Sequence, residues 1–181
     1  TVDLPDPASG AFFNTRRIRR LTRREEIAAV VNTLCRHRLH AEEWIPKATL
    51  GGHSWDLRLV TVGGAVGHRV ARAGRSPLTN LHLLNRRLPW EAIQACVPPA
   101  SLESALESAS RAALYFRHCL YTGVDLAFAP GFRRHYVLEV NAFGDLLPGL
   151  LWRGATTYEA QLDYLWPNLA PLPAAATGGP P

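Results

Sequence analysis

Residues Gly123–Leu147, GVDLAFAPGFRRHYVLEVNAFGDLL, read as two short strands, Val124–Ala129 and His135–Asn141, joined around Pro130-Gly131. With a loop over Pro130–Arg134, antiparallel pairing sets Ala129 opposite His135 and Asp125 opposite Glu139. Side chains alternate along a strand, so Glu139 and Asn141 share a face, and cross-strand neighbours add Asp125 to it. Val124, Leu126, Leu138 and Val140 take the other face. Two carboxylates and an amide oxygen thus converge at one end of a hairpin, a hard oxygen set suited to Mg²⁺ on phosphates. The plainer alternative is a solvated acidic surface. Against it, Glu139 lies between Leu138 and Val140, which predicts a half-buried carboxylate in need of a partner.

Outward from this hairpin, the chain has the composition of a folded domain. Its 181 residues are 47% hydrophobic and 19% charged, enough for one sizeable core and unlike a disordered or fibrous sequence. No run of about 18 uncharged apolar residues marks a membrane span, and Thr1-Val2-Asp3 does not open a signal peptide. Cys35, Cys96 and Cys119 are odd in number and lack metal-site spacing, which predicts a reducing, cytoplasmic setting. The absence of Met and the start at Thr1 suggest a domain cut from a longer protein. The net charge of +5 is carried almost wholly by Arg, the side chain that meets phosphate or carboxylate with two parallel hydrogen bonds. Nucleic acid, nucleotides and small acids are all admitted by charge alone.

The remaining segments follow in order. Residues 1–15 are loop, and Ser9-Gly10-Ala11 is small enough for backbone amides to approach a phosphate. Arg16, Arg17, Arg19, Arg20, Arg23 and Arg24 read as a strand over Arg17–Leu21 running into a solvated helical turn, with a nucleic-acid patch as the competing reading. Thr22-Arg23-Arg24-Glu25 has capping-box spacing for a helix to about Arg38 that packs on a sheet through Ile27, Val30, Val31 and Leu34. Leu39–Ile45 reads as a strand ended by Pro46, with an edge strand carrying a core tryptophan as the plainer alternative. Trp55–Val62 and Ala65–Ala73 flank Gly63-Gly64, a strong hairpin signal, with Asp56 and Arg58 on one face of the first strand and a surface ion pair as the plainer alternative for the two. Arg75–Arg87 is a polar loop containing Asn80. Pro89–Val97 is a short helix, and Ser101 caps a longer one to about Leu120 that turns Leu102, Leu106, Ala109, Ala113, Leu114 and Phe116 inward. A final helix spans about Thr157–Leu165. Residues 1–166 form the domain and 167–181 a disordered Pro/Ala/Gly tail.

This order of parts resembles the C-terminal ATP-binding portion of the ATP-grasp superfamily, in its glutathione synthetase and ribosomal-protein glutamate ligase-like branch. Four segments carry the likeness over about Ala8–Thr157: EEWIP, WDLRLVTVGG, TNLHLLNRR and GVDLAF…YVLEVNAFGDL. The last is the most specific, because Asp on one strand and Glu-x-Asn on the next resemble the superfamily's Mg²⁺ signature. The implied fold is α+β, an antiparallel β-sheet with helices packed on one face. The resemblance implies that Asp125, Glu139 and Asn141 hold the Mg²⁺ ions bridging the ATP phosphates. Glu42, Glu43, Trp44 and Ile45 would read the adenine edge. Arg58 would lie by the terminal phosphate, Arg72 would neutralise the transferred phosphoryl group, and Asn80 would contact phosphate or substrate. Ser9, Gly10 and Ala11 would belong to a loop closing over the phosphates.

The activity so implied is an ATP-dependent carboxylate–amine ligase working through an acyl phosphate, with amino-acid or peptide-like substrates. No membrane or nucleic-acid partner is expected, and a homo-oligomer is compatible. Two departures stand out: the superfamily's upstream nucleotide lysine would precede Thr1, and Lys47 follows the hinge. The small loop is also proline-rich where relatives carry more glycine. A kinase on the same fold and a non-catalytic Arg-rich nucleic-acid-binding module remain open as other readings.

Overall fold

The computed structural model describes residues 19–35, 41–75, 79, 86–143 and 146–168. The chain divides into two compact units between Trp44 and Ile45. In the first unit, α1 spans Arg24–Leu34, with Arg23 as N-cap and no side-chain cap bond. The expected capping box does not form, because the N-cap falls one residue past Thr22, at Arg23, and an Arg side chain has no acceptor to offer. Glu25 and Glu26 still favour the positive end of the helix. None of its residues is buried, so the apolar stripe at Ile27 and Val31 is exposed rather than core. Residues 41–45 are not a strand, and Glu42, Glu43 and Trp44 are exposed. Residues 19–21 likewise lack strand structure.

The second unit is mixed α+β, built on a six-stranded antiparallel sheet. Its strands are β1 (Thr49–Leu50), β2 (His53–Val62), β3 (Ala65–Gly74), β4 (Arg86–Leu88), β5 (Tyr121–Phe128) and β6 (His135–Asn141). The order is β4-β3-β2-β5-β6, with β1 paired to the start of β2. Gly63 and Gly64 take φ of 57° and 83°, the left-handed pair that a two-residue hairpin loop needs. A Cβ on Gly63 would sit 2.1 Å from the Tyr164 ring, so glycine also lets the last helix close onto this turn.

Helices α2 (Trp90–Cys96) and α3 (Pro99–Leu114) cover one face of the sheet. There Trp55, Leu57, Leu59, Ala71, Val124, Leu126 and Phe128 pack against Ile93, Val97, Leu102, Ala105, Ala109 and Ala113. The alanines recur every fourth residue and let α3 lie close to the strands. Helix α3 starts at Pro99 behind Pro98, not at a Ser101 cap, since proline suits the first helical turn, whose N–H has no intrahelical partner. It ends at Leu114, and Leu114 and Phe116 are exposed. Helix α4 (Thr157–Leu165) falls where the pattern predicts. Thr156 and Glu159 close a capping box around its first turn, and Thr157 Oγ1 donates to the Leu146 carbonyl at 2.6 Å.

His135 at the start of β6 lies 2.8 Å through Nε2 from Ser108 Oγ on α3 and 5.9 Å from the Phe128 ring centre. Burial, then the nearby Arg111, lowers its pKa below the ordinary 6.5. The unfolded chain therefore binds a proton that the folded chain resists, and stability falls as pH drops from about 6.5 toward the depressed folded value. A His135→Gln variant is expected to flatten this part of the stability–pH curve in denaturant titrations between about pH 5 and 6.5. An unchanged slope would assign the acid sensitivity elsewhere.

Candidate functional site

The face of the sheet opposite α2 and α3 carries a chain of buried charge. Asp56, 2% exposed, is its anchor. Its Oδ1 accepts from Arg72 Nε at 2.8 Å, and its Oδ2 accepts from Lys47 Nζ at 2.8 Å and from Thr79 Oγ1. Lys47 Nζ also donates to Thr79 Oγ1 at 2.7 Å. Arg72 reaches onward, its Nη2 lying 3.2 Å from Asp125 Oδ2. Arg58 closes on the other oxygen, its Nε 3.1 Å from Asp125 Oδ1. The angle at this last contact does not make a hydrogen bond, so Asp125 Oδ1 and Arg58 Nε are both buried without one. With the Asn141 amide oriented to suit its neighbours, its oxygen accepts from Arg58 Nη1 at 3.1 Å and its nitrogen donates to Glu139 Oε1 at 3.0 Å.

Register explains this convergence. Asp56 faces Arg72 across β2–β3, and Arg58 faces Asp125 across β2–β5. Next along, Asp125 faces Glu139 and Gly123 faces Asn141 across β5–β6. A Cβ on Gly123 would lie 2.7 Å from Arg58 Nη1, so only glycine there leaves the guanidinium a path to Asn141. Neither hairpin is a plain ladder. Between β2 and β3 the register shifts between Leu59 and Thr61, which sets Asp56 opposite Arg72 rather than Ala71. Between β5 and β6, Phe128 rather than Ala129 faces His135, and Leu138 is an extra residue that restores Asp125 to Glu139.

The sites expected from sequence separate into three groups. Arg58, Arg72, Asp125, Glu139 and Asn141 are brought together. Ser9, Gly10, Ala11 and Asn80 lie outside the described residues. Glu42, Glu43 and Trp44 belong to the first unit and Ile45 to the second. Two expectations are corrected. Glu139 is exposed rather than half-buried, because β6 ends the described sheet and has a neighbour on one side. Asp56 and Arg58 do not form a surface pair; Asp56 is buried against Arg72 and Lys47, and Arg58 turns to Asp125. Asp56, Thr79 and Gly123 were not anticipated as site residues. The one signal for Asp56 was a carboxylate at alternate spacing with Arg58 on a hairpin whose other strand carries Arg72.

The electrostatics follow from burial. Burial pushes the Asp125 carboxyl above its ordinary range; Arg72 and Arg58 draw it back in part, and Asp56 adds to the rise. For Arg72, burial works against the charge, yet Asp56 and Asp125 hold its guanidinium above the ordinary value. Arg72 is therefore a fixed cation. No protein-family model matches this chain, and no curated protein matches it. Among the described residues no three His, Cys, Asp or Glu side chains group to hold a metal, so an oxygen set here needs the Asn141 amide beside Asp125 and Glu139. Those three do offer hard oxygen donors, and Asp125 Oδ1, ion-paired with the Arg58 guanidinium, makes no hydrogen bond.

Proposed function

We propose that this chain carries the nucleotide-phosphate side of an ATP-dependent carboxylate–amine ligase of the ATP-grasp type. The observation that carries the reading is the convergence of Asp125, Glu139 and Asn141 with Arg58 and Arg72 on one face of the sheet. Asp125, Glu139 and Asn141 would hold Mg²⁺, which when bound supplies positive charge to the ATP phosphates. Arg72, fixed through Nε and Nη2, keeps a permanent positive charge in the site. Arg58 borders Asp125 and Asn141 and would meet the phosphoryl oxygens as charge develops on them. Asp56 keeps Arg72 and Lys47 in place, so the donors need little reorganisation.

In the reaction so assigned, a substrate carboxylate oxygen attacks the γ-phosphorus of ATP and ADP leaves. The resulting acyl phosphate is attacked by an amine, which loses a proton as phosphate departs, leaving an amide. Carboxylates are poor acyl donors in water, and the phosphoryl group supplies the leaving group. The protein's share is position and charge, as in phosphoryl transfer generally.

The test is calorimetric titration of Mg-ATP into the folded protein and into its Glu139→Ala variant. Glu139 is exposed, so its removal should leave the fold intact. Binding by the parent and its loss in the variant is the expected result, and hydroxylamine capture of an acyl phosphate then separates a ligase from a kinase. A folded parent that ignores Mg-ATP would sink the proposal.

A further inference from the structure

A pocket of about 450 Å³ opens along the edge of β3, lined by none of the charge-cluster residues. Strand β4 covers β3 only from Ala71 to Ala73, so Arg69 stands beside a stretch of edge that β4 leaves open. The Arg69 guanidinium lies 4.9 Å from the centre of the Trp90 ring, and that of Arg153 lies 4.6 Å from the centre of the Trp152 ring. Arg69, Trp90 and Trp152 line this pocket, and Arg153 lies over the Trp152 ring.

The second stack is held rigidly. Trp152 N–H donates to the Ala155 carbonyl at 2.9 Å and Ala155 N–H returns the bond at 3.1 Å, closing a tight turn. Arg153 and Gly154 take φ of 54° and 82° within it. His68, itself 1% exposed, donates Nε2–H to the same Ala155 carbonyl at 2.8 Å. The Trp152 ring lies over Gly67, where a Cβ would come within 3.2 Å. This anchoring fixes the direction of Trp152.

The positive charge in the pocket is not ion-paired among the described residues. Arg69, Arg87 and Arg153 make no ion pair among the described residues, and Arg87 donates a hydrogen bond to the Pro148 carbonyl at 3.4 Å. Glu91 is the one acid among the described lining residues, and it too makes no ion pair there. Burial and the facing Arg153 both lower the Arg69 pKa, as befits a cation without a counter-ion. Guanidinium planes stacked on indoles retain N–H groups at their edges for an anion, while the indoles offer flat apolar surface.

We propose that this pocket binds a small organic anion, a phosphate or carboxylate on a flat apolar body, between the Arg69–Trp90 and Arg153–Trp152 stacks. The site is independent of the ligase reading. Its test is titration of the full chain with phenyl phosphate, benzoate, inorganic phosphate and phenol, followed through the indole N–H resonances of Trp90 and Trp152. Phenyl phosphate or benzoate should shift both resonances saturably, and whichever binds tighter identifies the head group. Phosphate and phenol should each bind at least about tenfold more weakly than the combined molecule. Arg69→Gln and Arg153→Gln should each weaken binding by about tenfold or more, while Arg117→Gln leaves it unchanged. Arg153 is exposed on a turn, so its variant keeps the test decisive should Arg69→Gln fail to fold. Absence of a saturable shift at millimolar ligand, unchanged affinity in Arg153→Gln, or phenol binding as tightly as phenyl phosphate would overturn the proposal.

Discussion

Replacing Asp56 by Ala is expected to lower the stability of the folded chain by about 3–5 kcal/mol, the range for stripping one partner from a buried ion pair. That corresponds to a fall in Tm of roughly 10–20 °C for a unit of this size. The reason lies in what stays behind. Arg72 and Lys47 are both largely buried, and each aims its charge at an Asp56 oxygen. Without the carboxylate, Lys47 keeps only its hydrogen bond to Thr79, and Arg72 remains charged with only Asp125 as counter-ion. Thr79 loses its acceptor as well. Denaturant unfolding of the parent and Asp56→Ala measures the effect. A loss under about 1 kcal/mol would mean that the cluster behaves as a solvated surface network.

Asp125→Asn is expected to act on binding more than on folding. Asp125 has one oxygen engaged by Arg72 and one that lacks a hydrogen bond, whereas both Asp56 oxygens are fully used. Burial already disfavours the Asp125 charge, so a neutral isostere sheds a desolvation penalty while it gives up attraction to two arginines. Its stability loss should therefore be smaller than that of Asp56→Ala. Affinity for Mg-ATP, by contrast, should fall by at least about a hundredfold, since the proposed cation site would lose one of its carboxylates. Calorimetry on Asp125→Asn, with denaturant unfolding in parallel, reads both quantities. If Mg-ATP binds the variant as it binds the parent, Asp125 is a structural counter-ion and the metal assignment fails.

The contrast between these two acids shows where sequence reasoning reached and where it stopped. Alternation correctly put Asp125, Glu139 and Asn141 on one face, because that rule depends only on strand geometry. It reached the pair Asp125–Glu139 through a loop one residue too long, and the extra residue at Leu138 made up the difference. Bulges leave no fixed mark in composition, so a register can agree at the site and disagree at the turn. Depth was less legible than direction. Asp56 and Glu139 looked alike as acids beside apolar neighbours, yet β2 is flanked by β3 and β5 while β6, among the described residues, has β5 alone. Strand order sets that difference, and local pattern does not report it. Thr79 came from a loop, where no periodicity applies. The Gly63-Gly64 turn and the Thr157 start of α4 were readable because a left-handed turn and a helix start restrict residue type directly.

The charge cluster also divides by position along the chain. Lys47, Asp56, Arg58, Arg72 and Thr79 fall within one stretch of 33 residues, and Asp125, Glu139 and Asn141 within another of 17. Each stretch is centred on its own hairpin, and the two halves meet where Arg58 faces Asp125. The segment between them, β4 through α3, supplies mainly the underside of the sheet. Closing a longer flexible connection costs only about 0.6 kcal/mol per doubling of its length. Lineages could thus lengthen the turn at Val97-Pro98, between α2 and α3, without disturbing the polar face. The two hairpins carry the charged side chains, and the segment between them carries the core packing beneath.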